Sequence, residues 1–308
     1  MRRPRAGFWI LLGLVFACRD RASPPASSTH RDSARAPAET PSRPDTTASP
    51  APAPPPSTDS VAPAVSFRAY ALDGAHDLQR LVDSLGPEAV TTILKLNRID
   101  LAHARAGDTL VVPVPIGPEM GFAPFPDTVA ALDSVPRLIA VSQRIQAFGA
   151  YEYGRLTRWG PTSTGKAKTP TPNALYFTNW KRKQTVSTDN EEWLLKWYFN
   201  FDSQRGISFH EYELPGYPAS HACVRLLSAD AEWLYSWARQ WRLSPDGRSI
   251  AGFGTPVEVF GTYELKHRRP WKRMVEDPAA ARVRATELDS ALAPHLALIR
   301  ARIRPDSG

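Results

Sequence analysis

The segment from Arg19 to Ala64 constrains this chain most, because its composition offers nothing from which a core could form. It consists mainly of Pro, Ala, Ser and Thr with scattered charges, and it contains no Phe, Trp or Tyr. Such a segment cannot bury enough apolar area to offset the entropy that it would lose on ordering. We therefore predict an extended, disordered tether over residues 19–64, so that folded structure begins near Val65.

The residues before this tether have the pattern of an export signal. Three arginines within the first five residues precede the apolar run from Phe8 to Ala17, which ends at Cys18. This run is too short for a helix that spans a bilayer, which needs about 20 apolar residues. A short apolar run behind a positively charged start is typical of a secretory signal peptide. We predict a signal peptide over residues 1–18 and an exported protein.

The end of this signal resembles the lipobox of bacterial lipoproteins, in which a cysteine receives lipid after cleavage just before it. Val15-Phe16-Ala17-Cys18 carries the resemblance, although Phe16 is bulkier than the pattern prefers, so cleavage without lipid stays open. The resemblance implies a lipid anchor at Cys18. Because Arg19 and not Asp follows, it also implies sorting to the outer membrane, with the rest of the chain in the periplasm.

The chain has two cysteines, Cys18 and Cys223. Exported proteins with two cysteines can form one disulfide. Here a disulfide would tie the interior of the chain to a flexible terminus, so we expect Cys223 to be a lone thiol. A lone thiol in an oxidising compartment calls for a specific role.

The net charge is +7, and because three of the positive charges belong to the signal, the mature protein is mildly basic. Such a charge suits a wall polymer or a membrane surface, and no part of the sequence resembles a nucleic-acid-binding module. The densest basic patch runs from Lys266 to Arg273. Solvated surface charge is the common explanation for such a patch, so a specific role for it stays open at this point.

Residues 65–113 predict a small α+β domain. An alternating run at Phe67–Tyr70 is followed by two helical patterns, Asp77–Leu85 and Glu88–Leu96, and by a second apolar run near Leu110. This strand-helix-helix-strand unit resembles a LysM domain, the module that binds glycan chains of peptidoglycan. The stretches ILKLNRID and AGDTLVVP carry the resemblance. A small packing domain that binds no sugar is the alternative.

The remainder predicts a mainly β domain with a helix and a helical tail. Residues 114–136 are rich in proline and predict a connector. Residues 137–263 contain short aromatic-rich apolar runs between turns, which favours a sandwich or barrel, and a helix that starts at Ser228. Residues 264–308 predict the basic segment and a helix from about Pro278 that is interrupted at Pro294.

Two stretches carry candidate chemistry: Gly206–His210 and Ser220–Leu226. If a strand begins at Ser220, then His221 and Cys223 project to one face. A thiol beside imidazoles ionises more readily, and the thiolate is the useful nucleophile. His210 can take the thiol proton and return it to a leaving amine. The turn at Ala222 can direct backbone N–H groups toward a developing oxyanion.

These residues resemble the YkuD-type L,D-transpeptidase family, whose pattern is a histidine, a spacer and then Ser-His-Gly-Cys-x-Arg. Further resemblance lies in residues 161–172 and 254–261. The resemblance implies that Cys223 is the nucleophile, that His210 transfers protons, and that Ser220 and His221 belong to the catalytic motif. It also implies that Arg225 orders the motif or meets a substrate carboxylate, and that Ala222 contributes to the substrate site.

Two positions depart from the family pattern. Ala222 replaces glycine; if this position needs positive φ, alanine costs about 1 kcal/mol and tilts the oxyanion hole. Asn173 also stands where the family has glycine, and asparagine tolerates left-handed φ.

Other interpretations of these residues remain. Cys223 can be a small buried hydrophobe, and Arg225 can form a structural salt bridge. His210, His221 and Cys223 can also be three zinc ligands, but no fourth Cys or His lies near them in the sequence. We expect no metal and no cofactor.

The reaction that the resemblance implies is attack of Cys223 on a tetrapeptide stem of peptidoglycan at diaminopimelate, with release of D-alanine and transfer of the acyl group to an amine. The partners would be stem peptides, glycan, and a membrane through the lipid anchor. An L,D-carboxypeptidase that uses water, and a non-catalytic peptidoglycan-binding lipoprotein, are the alternatives.

Overall fold

The computed structural model describes residues 65–303 with the exception of 75, 188 and 189. The predicted signal peptide, the lipid attachment at Cys18 and the tether lie outside the described residues. The described residues belong to one compact unit. Within this part of the chain, none of the helices has the length and apolar character that crossing a membrane requires.

The first elements follow the predicted strand-helix-helix-strand order. They are β1 (Ser66–Ala71), α1 (Asp77–Leu85), α2 (Pro87–Leu96) and β2 (Thr109–Val114). The two strands pair antiparallel, and the helices cover them with a core that includes Ile93 and Leu110. Gly86 joins the helices at a φ of 84°, a left-handed value that glycine adopts without strain. We call residues 66–114 the βααβ unit.

The main domain is mainly β, as predicted. Among the described residues, nine strands form one sheet in the order β6-β13-β3-β4-β5-β10-β9-β8-β7, and β11 and β12 form a separate hairpin. The strands are β3 (Leu138–Ser142), β4 (Ala147–Glu152), β5 (Arg155–Ser163), β6 (Ala174–Phe177), β7 (Lys181–Val186), β8 (Leu194–Asp202), β9 (Ile207–Glu211), β10 (Val224–Leu226), β11 (Arg242–Leu243), β12 (Ile250–Gly252) and β13 (Pro256–Phe260).

One short parallel pair positions the candidate chemistry. β10 lies between β5, with which it pairs antiparallel, and β9, with which it pairs parallel. The register places Arg225 beside His210. The helix predicted from Ser228 is α3 (Ser228–Trp237), which buries Ala231 and Leu234 in the core of this domain.

The strand expected from Ser220 begins only at Val224, so that prediction was wrong at its start. Residues 220–223 form a bent segment that pairs with the sheet only through a bridge between Ser220 and Gly165. The alternation that we inferred for His221 and Cys223 therefore does not apply.

The proline-rich connector packs into the core. Phe122, Phe125, Val129 and Leu132 are all buried in one cluster with the C-terminal residues. Its prolines limit regular structure, but its apolar side chains still cover the sheet.

The C-terminal helix starts later than predicted. Asp277 caps only a turn, in which its side chain accepts from the amide of Ala279. The chain then leaves helical geometry because Val283 donates its amide to the carbonyl of Pro124. The two helices that follow are α4 (Ala285–Leu292) and α5 (Leu296–Arg302), and they are separated at Pro294 as predicted.

A buried arginine joins the βααβ unit to the main domain. Arg98 is 1% exposed and lies over the rings of Trp159 and Trp271, at 5.6 Å and 5.5 Å from its guanidinium carbon to the ring centroids. Its Nε donates to the carbonyl of Ile145 at 2.8 Å. Burying a guanidinium is costly unless its donors are paired, so this contact defines a specific docking geometry.

Candidate active site

The backbone of the bent segment is held from one side by the loop that follows β5. The amide of Ser220 donates to the carbonyl of Thr164 at 3.0 Å, and the amide of Lys166 donates to the carbonyl of Ser220 at 2.9 Å. Gly165 makes this approach possible, because a Cβ there would lie 2.2 Å from the carbonyl oxygen of Thr169. The segment is therefore fixed before any substrate arrives.

Ala222 has a φ of 82°, so the position does require the left-handed geometry that glycine favours. The hydroxyl of Thr171 donates to the Ala222 carbonyl at 2.7 Å. Because a trans peptide is planar, its N–H points away from its C=O. Thr171 therefore sets the direction of the Cys223 N–H, the group that would face an oxyanion. Asn173, by contrast, has no positive φ.

Five of the predicted site residues meet in one small pocket. We call this the Cys223 pocket; it is lined by Ser187, Trp193, Leu195, His210, Tyr212, Ser220, His221, Cys223 and Arg225. Ala222 does not line it, and contributes through its backbone instead.

The thiol of Cys223 is half-buried beside a serine. Its Sγ lies 3.3 Å from the Oγ of Ser208 and 3.7 Å from the carbonyl oxygen of Gly206. A carbonyl can only accept, so Gly206 suits the thiol form. The Ser208 hydroxyl can also donate, so it can stabilise the thiolate.

His210 is a buried and neutral imidazole. Its Nδ1 lies 2.9 Å from the carbonyl oxygen of Glu211. Since a carbonyl only accepts, Nδ1 carries the hydrogen and Nε2 is the proton-accepting nitrogen. Burial lowers the pKa of His210 to about 4; the Glu211 hydrogen bond opposes this shift and the positive charge of Arg225 adds to it. His210 is thus in the form that a general base needs at neutral pH.

His221 is oriented by a lysine. Its Nε2 lies 2.7 Å from the Nζ of Lys166, and its ring lies against Trp193 with centroids 5.2 Å apart. An ammonium group can only donate, so Nε2 accepts and the ring hydrogen is on Nδ1. That Nδ1 is buried with no hydrogen-bond partner among the described residues. It offers one unpaired donor at the wall of the pocket.

Arg225 lies over the ring of Tyr212, 4.4 Å from its guanidinium carbon to the centroid. It donates to the carbonyl of Glu213 at 3.5 Å. Within the described chain it forms no ion pair with a carboxylate, in contrast to the structural salt bridge that was one interpretation. Burial lowers the pKa of Arg225, which indicates a charged group that would gain from a substrate carboxylate.

Sequence reasoning assigned no role to three residues that contact the motif: Lys166, Thr171 and Ser208. Each had a signal. Lys166 and Thr171 lie in the stretch 161–172 that carries part of the family resemblance. Ser208 lies two residues before His210 on β9, and side chains at this spacing share one face of a strand.

Zinc ligation was the remaining alternative for these side chains. In the described ranges, no three His, Cys, Asp or Glu side chains are grouped closely enough to hold a metal ion.

Comparison with known proteins decides the family of the main domain. Residues 136–259 match the family model of the L,D-transpeptidase catalytic domain, YkuD. The chain carries a YkuD L,D-transpeptidase catalytic domain. This segment includes all the residues that line the Cys223 pocket, although it makes up less than half of the chain. No curated protein matches the chain.

Solved structures of L,D-transpeptidases are similar to this YkuD domain at low identity. An L,D-transpeptidase from Stackebrandtia nassauensis is 23% identical, with 42% of this chain and 57% of that chain covered and a TM-score of 0.34. L,D-transpeptidase 1 from Mycobacterium tuberculosis is 21% identical, with 41% and 62% covered and a TM-score of 0.31. An L,D-transpeptidase in complex with imipenem is 19% identical, with 41% and 59% covered and a TM-score of 0.32. The chain thus spans less than two thirds of these proteins.

Proposed function

We propose that this protein is a peptidoglycan L,D-transpeptidase in which Cys223 is the nucleophile and His210 transfers protons. The observation that carries the proposal is that a half-buried thiol and a buried imidazole line one pocket, on the residues of the family motif. The hydrogen bond from Nδ1 of His210 to Glu211 leaves Nε2 as the base.

The first half-reaction forms a thioester. The Sγ of Cys223 attacks the carbonyl carbon at the L-centre of diaminopimelate in a tetrapeptide stem, and the thiol proton passes to Nε2 of His210. The oxyanion that forms is stabilised by backbone N–H groups of the bent segment. The C–N bond then breaks, and the proton on His210 passes to the amine of the leaving D-alanine.

The second half-reaction releases the acyl group. An acceptor amine attacks the thioester carbon, His210 takes a proton from the amine, and this proton returns to Sγ as the C–S bond breaks. A second stem peptide as acceptor yields a crosslink between two diaminopimelates, and a protein lysine yields a tethered protein. Water as acceptor makes the enzyme an L,D-carboxypeptidase.

The other parts of the chain suit an enzyme held near the wall. We propose that the βααβ unit is a LysM-like glycan-binding module, and that the mature protein is a periplasmic lipoprotein anchored to the outer membrane through Cys18. In membrane fractions, a Cys18→Ala variant should be released or left unprocessed. Equal membrane retention of the variant and the wild type would exclude the anchor.

Acylation by imipenem tests the nucleophile directly. We expect purified protein to gain the mass of one imipenem molecule, with the adduct on Cys223, and a folded Cys223→Ala variant to gain none. Incubation with a disaccharide-tetrapeptide should then yield D-alanine and a crosslinked dimer. D-alanine without a dimer would identify a carboxypeptidase, whereas no adduct on the wild type would leave the non-catalytic binding protein as the better description.

A further inference from the structure

A second concave site, larger than the Cys223 pocket, is lined in part by the loop that precedes the bent segment. It is a cavity of about 660 Å³ between the βααβ unit, the loop 214–217 and the basic segment after β13. We call it the cationic cavity; the side chains that matter here are Arg105, Asp108, Tyr217, Arg268, Arg269 and Lys272. Most of its lining lies outside residues 136–259, so it is a feature of this chain and not of the catalytic domain alone.

The cavity has an excess of positive charge. Four cationic side chains line it against the single carboxylate of Asp108. Arg268 is paired, at 2.5 Å, with Glu276. Within the described residues, Arg269 and Lys272 lie within ion-pair distance of no carboxylate. Clustered cations without counter-charges repel one another, and a bound anion relieves that repulsion.

Lys272 shows the effect of this crowding. Its Nζ donates to the Oδ1 of Asn97 at 2.9 Å and to the carbonyl of Thr109, both of which are uncharged. Burial, together with the charges of Arg269 and Arg268, lowers the pKa of Lys272 to about 8, and only Asp108 opposes this shift. The ammonium group is thus held in a place where it lacks a negative partner.

The walls of the cavity are held by close contacts. Gly216 has a φ of 79°, and a Cβ there would lie 2.9 Å from the Nη1 of Arg269 and 2.9 Å from the Cγ2 of Ile99. The amide of Leu214 donates to the Oδ2 of Asp100 at 2.8 Å. The loop, the βααβ unit and the basic segment therefore meet at one point, and the cavity is a built site.

Tyr217 connects the cavity with the Cys223 pocket. Its ring lies under Arg269, 5.3 Å from the guanidinium carbon to the centroid. Its carbonyl accepts from the hydroxyl of Ser163 at 2.7 Å, and Ser163 pairs with Arg225 of the Cys223 pocket across β5 and β10. The loop that lines the cavity is thus held by the strand that pairs with Arg225.

We propose that the cationic cavity binds a carboxylate-bearing segment of the peptidoglycan strand and holds it beside the Cys223 pocket. The choice of peptidoglycan rests on the proposed function, whereas the need for an anion does not. The volume suits an organic ligand and exceeds what a single small ion needs. The walls also include Tyr217, Ile99 and Val275, which suit the apolar parts of a peptide.

The test is the binding of a disaccharide-tetrapeptide to the full chain in the Cys223→Ala background, which prevents turnover. Replacing Arg105 and Arg269 together by Gln should weaken binding about tenfold or more, since both charge-assisted hydrogen bonds to the carboxylate are lost. An Arg248→Gln variant, which removes an exposed charge elsewhere, should change it less than about twofold. Arg269→Lys should recover much of the affinity that Arg269→Gln loses.

Further measurements keep the outcomes distinct. The same peptide with its carboxylates amidated should bind the Cys223→Ala protein as weakly as the unmodified peptide binds the cavity variants. Inorganic phosphate should not bind with the affinity of the unmodified peptide. Unchanged affinity in folded cavity variants, or cavity-dependent binding of phosphate alone, would overturn the proposal. With Cys223 restored, the Arg248→Gln variant should be acylated by imipenem at the wild-type rate. A wild type that imipenem does not acylate, but whose peptide binding depends on the cavity, would refute the transpeptidase and leave the cavity in place.

Discussion

The Cys223 pocket and the cationic cavity are lined by successive parts of the segment 215–225, and they differ in how they hold charge. In the Cys223 pocket, His210 is 4% exposed, and this burial favours its neutral form. Its hydrogen bond to the Glu211 carbonyl places the ring hydrogen on Nδ1. In the cationic cavity, Arg269 and Lys272 stay without carboxylate partners among the described residues. A group that must exchange a proton benefits from a neutral resting form, whereas a group that holds an anion benefits from an unmatched charge.

The largest test of this difference is His210→Ala. We expect the rate of acylation by imipenem to fall roughly 10²–10⁴-fold, because proton transfer by a positioned group contributes that much. Single-turnover mass spectrometry gives the rate, and circular dichroism checks the fold. Arg248→Gln, which removes an exposed charge that lines neither site, is the control and should acylate like the wild type. If His210→Ala acylates at the wild-type rate, the base is another group, and His221 is the next candidate.

The pH dependence sharpens the same contrast. The pKa of His210 is lowered to about 4, so its base form persists as the pH falls from 7 to about 5. As the pH falls through 4, the imidazole gains a proton and loses its acceptor, and the rate should drop about tenfold for each further pH unit. The acid limb of the acylation rate should therefore have its midpoint near 4 while the protein stays folded. A midpoint near 6.5, absent from His210→Ala, would mean that His210 is solvated.

The contrast also shows what could be predicted from the sequence. The short motif around Cys223 and the helical periods of α1 and α2 are formed by residues that are close in the sequence. Both could therefore be predicted from the sequence alone. No strand was predicted over Arg155–Ser163, which is β5, and its glycine and proline at 160 and 161 are residues that disfavour strands. Gly160 is in fact required for packing, since a Cβ there would lie 2.3 Å from the Oδ2 of Asp230.

The cationic cavity was beyond prediction for a different reason. The basic run 266–273 was evident, but its role stayed open because its charges meet Arg105 and Tyr217 only in the folded chain. The helix expected from Pro278 was wrong for a similar reason. Its local signals favoured a helix, and a long-range hydrogen bond from Val283 to Pro124 outweighed them.

A smaller effect is expected from Thr171→Val, which keeps the side-chain shape and removes the hydroxyl. The Ala222 carbonyl would lose its 2.7 Å hydrogen bond, so the Cys223 N–H would be less well directed, and the amide of Gly165 would lose its acceptor at 2.9 Å. Since a hydrogen bond contributes about 0.5–1.5 kcal/mol, we expect acylation to slow about two- to tenfold. Binding of the disaccharide-tetrapeptide in the Cys223→Ala background should not change, because the cavity is intact. An unchanged acylation rate would show that Thr171 does not orient the turn.

The smallest expected effect, and the only gain, comes from Ala222→Gly. Ala222 has a φ of 82°, where a Cβ is strained by about 1 kcal/mol. Strain of this kind can displace the peptide that carries the Cys223 N–H, and a displaced donor stabilises an oxyanion less well. Glycine removes the strain, so acylation by imipenem should quicken, by up to about fivefold if all of the strain acts on the transition state.

The stability of Ala222→Gly separates this explanation from a general effect on the fold. Glycine also gains entropy in the unfolded chain, which offsets much of the relief, so the free energy of unfolding should change by less than about 1 kcal/mol. Denaturant unfolding measures this change, and single-turnover acylation measures the rate. A rate that stays flat while the protein becomes more stable would mean that the strain is stored in the fold and does not reach the oxyanion donor. A rate that falls would mean that the pocket has adapted to the methyl group of Ala222, and that the family's glycine is no longer the better residue in this chain.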